Sequence, residues 1–314
     1  MQQPKSPANS PGVSLLILVG FVLLCSFVLQ LIILFGYTAI FENIGLLLRS
    51  GPDALSLGQG STGLMYTMLA TSSVSTFLLP PIILQYIERK SNIQYLPMSS
   101  VTPTLSYGLA VLFLVAFSPI LGLFGEWNRH LQLPESWHVV ESWMRTKEDE
   151  MALLTENLVM NSSLSGLALN LFVIAVLPAI AEEFFFRGAL QNILGRWISN
   201  KHVVIWTTAI IFSAIHVQFF GFFPRMLLGA IFGYMLVLTN NIWIPILAHF
   251  VNNASVVLVA FYYTTKGYSY QQLMTDDPYH ISLYFVSLIA SVVVGWYFYR
   301  QSSKLKSELW NQAG

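Results

Sequence analysis

The stretch Ala181-Glu182-Glu183-Phe184-Phe185-Phe186-Arg187 sets two carboxylates and a guanidinium side by side in an otherwise apolar segment. Two further apolar segments carry Phe212-Ser213-Ala214-Ile215-His216 and His249-Phe250-Val251-Asn252-Asn253. Carboxylate and imidazole are the side chains that most often move protons. Inside a bilayer an ionisable group costs roughly several kcal/mol, so it persists where it pairs, lines water or does chemistry. Proton transfer in an apolar setting is therefore the chemistry these residues suit.

Helical spacing sorts them. Glu183 and Arg187 are four apart and share a face, which predicts an ion pair. Glu182, five residues from Arg187, falls on a different side and outside that pair. A carboxylate in a poorly hydrated setting is a stronger base near neutral pH. The competing reading makes all three one structural network. His249 and Asn253 are also four apart and share a face. His216 alone would pass as an interfacial histidine; the weight lies in the combination. Pro178 and Pro245 each stand four residues before a member of the set, Glu182 and His249, and each can kink its helix and open a polar cavity. Gly229 and Gly233 form a small-xxx-small pair that predicts close helix packing. His130, His138, His202 and His280 fall in loops. Asn161-Ser162-Ser163 and Asn253-Ala254-Ser255 match a glycosylation pattern, the second inside an apolar span and so inaccessible. There is no H-E-x-x-H and no phosphate-binding loop.

The elements that must position these residues are membrane helices. Of 314 residues, 55% are hydrophobic and 10% charged, against roughly 25% charged in a soluble domain. The predicted fold is all-α, a polytopic membrane helix bundle of about eight spans, each needing about 20 apolar residues. They are Val13–Ile40, Leu64–Tyr86, Leu105–Phe124, Leu167–Leu190, Val203–Phe220, Phe223–Leu238, Ile242–Tyr262 and Ile281–Tyr299. No charged residue stands between Lys5 and Glu42, a run too long for a signal-peptide core. Lys5, Arg89, Lys90, Arg196, Lys201, Arg300, Lys304 and Lys306 fall on one side, which predicts both termini cytoplasmic and a cell-membrane location. Arg49, Arg225 and Lys266 fall on the other. The 15 basic and 15 acidic residues balance, which argues against a nucleic-acid partner. Cys25, the single cysteine, excludes an intrachain disulfide.

This divides the chain into a tail (1–12), N-terminal helices with a long extracytoplasmic loop (13–166), a core carrying the polar set (167–263), and a last helix with its tail (264–314). In the loop, Ser136–Asn157 has helix-forming composition and reads as a solvated connector, with an interfacial helix or a lid as the alternative. If the turn after Glu182 lies near Ser199–Asn200, Glu182 and His216 are each about 17 residues from it and sit at similar height.

The three motifs E-E-x-x-x-R (Glu182, Glu183, Arg187), F-x-x-x-H (Phe212, His216) and H-x-x-x-N (His249, Asn253) appear in order on separate spans. In this the sequence resembles the CPBP intramembrane proteases, which include the type II CAAX prenyl endopeptidases and the bacteriocin-related Abi proteins. The resemblance covers roughly Leu167 to Tyr262. It implies peptide-bond hydrolysis in the membrane, acting on a peptide or a membrane-anchored, for instance prenylated, protein. It implies that Glu182 and His216 activate water and that His249 and Asn253 stabilise the oxyanion, with Glu183 and Arg187 in support. Glu182, His216 and His249 also form an allowed zinc ligand set with an open position. Asn253 is an uncommon zinc ligand, which favours the metal-free arrangement. The competing functions are an ion-coupled transporter, since membrane carboxylates and imidazoles also relay protons, and a non-catalytic immunity or scaffold protein. A transporter commonly shows repeated halves, and the chain has no such repeat.

Overall fold

The computed structural model describes residues 8–41, 62–91, 93–98, 102–274 and 279–313. Lys5 and Arg49, used above for orientation, lie outside the described residues. The helices are α1 (Pro11–Phe41), α2 (Thr62–Ile87), α3 (Thr104–Arg129), α4 (His138–Val159), α5 (Leu164–Trp197), α6 (Lys201–Ala214), α7 (Phe222–Thr239), α8 (Trp243–Thr265), α9 (Tyr270–Met274) and α10 (Ile281–Ala313). Among the described residues seven stretches are long and apolar enough to cross a membrane: Pro11–Tyr37, Thr62–Ile87, Thr104–Arg129, Leu164–Trp197, Phe219–Thr239, Trp243–Thr265 and Ile281–Ser303. The chain is an all-helical, multi-pass integral membrane protein. Leu16, Leu23 and Phe27 on α1, and Phe285, Ile289 and Val292 on α10, are exposed, an apolar surface that only lipid or protein can cover.

The expected span Val203–Phe220 is corrected. Helix α6 ends at Ala214. At 1.5 Å per residue it covers about 21 Å, short of the roughly 30 Å of hydrocarbon. Asn200 caps its start by accepting from the amides of His202 and Val203. Beyond its end Val217 takes a left-handed φ of 54°, and a 3-10 turn at Phe219–Gly221 leads into α7. The Ser136–Asn157 connector is a helix in the structure, α4. Arg145 on α4 bonds to Glu141 at 2.6 and 3.0 Å, and Glu141 also accepts the Leu133 amide at 2.9 Å. The Leu133 amide first, and Arg145 next, hold the Glu141 carboxyl below its usual range.

Helix α5 changes winding twice, with π-helical turns at Leu171–Val176 and Phe184–Leu190; α2 has one at Ser73–Leu78. Pro80, Pro81 and Pro178 explain two of the three. Proline has no N–H to return to the turn before it, and the turn ahead of each proline is widened.

The chain falls into two compact units. One comprises Met1–Leu96, Asp149–Trp197 and Asn253–Leu273. Its core joins Leu18, Leu84, Tyr95, Ala189 and Ile193. A buried polar cluster ties its helix ends: Glu88 accepts from Asn9 (2.9 Å), Ser14 (2.7 Å) and the Tyr95 hydroxyl (2.5 Å). Arg196, near the end of α5, donates to the Tyr95 hydroxyl at 2.8 Å and to the Asn9 carbonyl at 3.1 Å. Burial, then donation to Glu88, pushes the Tyr95 phenol above its ordinary range. Gly188 lets the 93–98 segment lie on α5; a Cβ there would meet Leu96 at 2.7 Å and the Tyr95 carbonyl at 3.0 Å.

The other unit comprises Pro97–Glu148, Ile198–Asn252 and Met274–Gly314. Its core is Ala110, Leu114, Phe232, Met235, Ile244, Ala248 and Phe298. Helices α6 and α7 approach closely at Gly229, where a Cβ would stand 3.1 Å from the Phe212 ring and 3.2 Å from Ala209. That is the close approach the Gly229–Gly233 spacing predicts.

Candidate active site

The first unit holds Glu182, Glu183, Arg187 and Asn253. Glu183 and Arg187 form an ion pair, Nη1 to Oε1 at 2.8 Å, with both side chains fully removed from solvent. Phe186 lies under the guanidinium at 5.8 Å, and Phe77 packs on the rings of Phe185 and Phe186 at 5.4 and 5.9 Å. Aromatic rings and a carboxylate thus enclose this cation. Glu182 is only half-buried, and its charge acts on Arg187 along with that of Glu183. The two neighbouring carboxylates therefore have different surroundings on one helix. Such a division can separate a supporting role from a reacting one.

Asn253 Nδ2 donates to the carbonyl of Ile174 at 3.3 Å. Ile174 stands four residues before Pro178, so it is the carbonyl that proline's missing N–H leaves without its α-helical donor. Pro178 and Asn253 are thus linked: the proline frees an acceptor, and that acceptor orients the amide. The spacing rule singled out both residues without this connection.

The second unit holds His216 and His249. His216 Nδ1 lies 2.7 Å from the carbonyl of Phe212. A carbonyl only accepts, so Nδ1 carries the proton, and a neutral ring then presents Nε2 as its lone-pair nitrogen. That is the tautomer a base requires. His249 is buried and stacks on Phe232, with centroids 5.1 Å apart at 21°. The Phe212 ring meets both imidazoles edge-on, at 5.1 Å from His216 and 6.0 Å from His249. Phe212 therefore does three things: it fixes one histidine's tautomer, braces both rings, and seats against Gly229. Phenylalanine in an apolar span gives no sign of this, because the role depends on its carbonyl and on what surrounds its ring.

Zinc calls for three or four converging side-chain donors. Among the described residues no three His, Cys, Asp or Glu side chains are grouped to hold a metal ion. No step below is routed through a metal.

Comparison with known proteins follows the same segment. Residues 164–255 match the family model described as "Type II CAAX prenyl endopeptidase Rce1-like". An uncharacterized protein of Bacillus subtilis (strain 168), YpbD, is 30% identical over 89 residues, which cover 27% of this chain and 42% of that protein. The chain thus aligns with less than half of that curated relative's length. No solved structure matches. All three motifs lie inside the matched segment. Over residues 164–255, the segment that carries all three motifs, the chain is similar to the Rce1-like, type II CAAX prenyl endopeptidase family.

Proposed function

We propose that this protein is an intramembrane endopeptidase that hydrolyses a peptide bond of a membrane-associated substrate, a lipid-anchored or prenylated C-terminal peptide among them. The observation that carries the reading is the coincidence of the family match with the polar set: Glu182, Glu183, Arg187, His216, His249 and Asn253 all fall inside residues 164–255.

Glu182 and His216 act on the water. Glu182, the half-buried member of the glutamate pair, supplies the carboxylate, and His216 presents Nε2 because Phe212 holds Nδ1. Together they take a proton as the water oxygen attacks the scissile carbonyl. The same pair returns that proton to the leaving amine as the tetrahedral intermediate collapses. His249 and Asn253 donate to the oxyanion; removing one such donor typically costs about 10²–10³ in rate. Glu183 and Arg187 hold α5 in register and keep a compensated charge beside the site. The apolar surroundings strengthen each of these interactions by excluding water.

Purified protein in lipid vesicles, presented with a membrane-anchored peptide, tests the reading. Glu182→Gln and His216→Ala are each expected to lower cleavage by about 10³-fold or more while the protein inserts and folds normally. Normal cleavage by both variants would sink the proposal. A pH-dependent ion flux without cleavage would replace it with transport.

A further inference from the structure

The connection from α6 to α7 leaves helical geometry before α6 has crossed a bilayer's thickness. Its backbone groups must then be satisfied by protein rather than by bulk water. The structure identifies the partners. Asn128, near the end of α3 and 2% exposed, donates Nδ2 to the Phe219 carbonyl at 3.0 Å and accepts the Phe223 amide at Oδ1 at 2.9 Å. One side-chain amide therefore grips both ends of the Phe219–Gly221 turn. Ser213 donates to the Phe222 carbonyl at 2.7 Å. Arg225, on the first turn of α7, holds the Gln218 side chain at 2.7 Å. From α4, Trp143 packs on Phe219 at 5.4 Å and Arg145 lies over the Phe220 ring at 4.4 Å.

What this grip maintains is an unfavourable backbone. Val217, immediately after His216, sits at φ 54°. A β-branched residue is a true outlier there, and such strain persists only where the surroundings over-determine it. Without the grip, Val217 would relax to negative φ and turn the chain at the residue adjoining His216. The imidazole would leave its Phe212 contact with it.

We infer that Asn128 is a positioning residue for His216, holding the α6–α7 turn so that Val217 stays left-handed and the His216 ring keeps its orientation. This rests on the role proposed above for His216. Asn128 touches no reacting atom; it acts through two backbone groups of the turn.

The test uses the full-length protein in vesicles. Asn128→Ala is expected to fold, to keep KM within about two-fold, and to lose ~10- to 100-fold in kcat, the scale expected for a misplaced reacting group. Asn128→Asp, which can still accept from Phe223 but cannot donate to Phe219, is expected to fall between. The decisive variant is Asn128→Ala combined with Val217→Gly. Glycine adopts positive φ without support, so the double variant is expected to recover most of the lost kcat. A merely structural asparagine would show no such rescue, and absence of rescue overturns the proposal, as does a normal kcat in Asn128→Ala. Hydrogen exchange over residues 213–223 is a readout independent of activity: Asn128→Ala is expected to raise exchange there and leave α10 unchanged. If His216→Ala cleaves normally, the reading of His216 fails. Exchange still decides whether Asn128 holds the turn, and unchanged exchange overturns that as well.

Discussion

The ion pair of Glu183 and Arg187 gives the clearest energetic test. Both side chains are fully buried and meet at 2.8 Å. Replacing Arg187 by Met keeps much of the volume and apolar contact of the side chain but removes the cation from a fully buried carboxylate. Breaking a buried pair from one side costs about 3–5 kcal/mol, because the remaining charge is desolvated without compensation. At roughly 2–4 °C per kcal/mol for a protein of this general size, the melting temperature should fall by roughly 6–20 °C. Glu183→Gln should behave similarly. Joint replacement, Glu183→Gln with Arg187→Met, removes both charges and should recover most of the loss, since neutral groups of similar volume often substitute for a buried pair at little cost. The assay is thermal denaturation in mild detergent, followed by helical circular dichroism, for wild type, both single variants and the double. A double variant as unstable as the sum of the singles would refute the reasoning, because the two charges would then not compensate one another. A single variant within about 1 kcal/mol of wild type would refute it too.

Gly229→Ala should cost about 1–3 kcal/mol by overpacking against Phe212 and the Ala209 backbone, and should lower cleavage because Phe212 braces both imidazoles; melting and rate measurements on one sample check both. Tyr95→Phe removes one donor to buried Glu88 and one acceptor of Arg196, an expected loss of about 1–3 kcal/mol by melting. The Glu141 carboxyl is held below its usual range, so its support of α4 is fully present above the ordinary carboxylate pKa and is lost as pH falls through the lowered one. Trp143 fluorescence should therefore hold steady from neutral pH down to the ordinary carboxylate range and change only below it, and Glu141→Gln should abolish that change. Chelation followed by metal analysis is expected to leave cleavage unchanged; a loss that zinc restores would return the set Glu182, His216 and His249 to the role of ligands.

The sequence displayed the membrane class because composition alone decides it: a chain with so few charges cannot cover a water-facing surface. It displayed the Glu183–Arg187 pair because a four-residue helical spacing is a local geometric fact. It misled at Val203–Phe220, where apolar composition continues past Ala214 although the helix does not. Hydropathy cannot register that Val217 turns left-handed, because the tertiary grip of Asn128 imposes that conformation from about 90 residues away. The helix-forming composition of Ser136–Asn157 was legible as well, and that stretch lies almost wholly in α4. The Asn253–Ile174 bond was hidden for another reason. Pro178 was noticed as a kink, but the carbonyl it releases finds its donor on a different helix, and nothing in a linear pattern indicates which one.

The alternating windings of α5 have a consequence of their own. Each π turn amounts to one additional residue in an α-helical frame, and one residue is worth about 100° of rotation. The seven residues Leu177–Glu183 lie between two such additions, like a cartridge whose azimuth is set separately from the helix on either side. Deleting one residue from Phe184–Leu190 would let that turn close to ordinary α winding. A deletion that left the π turn in place would instead put everything beyond it, including the Arg196 anchor, about 100° out of phase with Glu182. The facing of the two glutamates is therefore governed by residue count as much as by residue identity, and a change of length in this helix could redirect them without altering a single polar side chain.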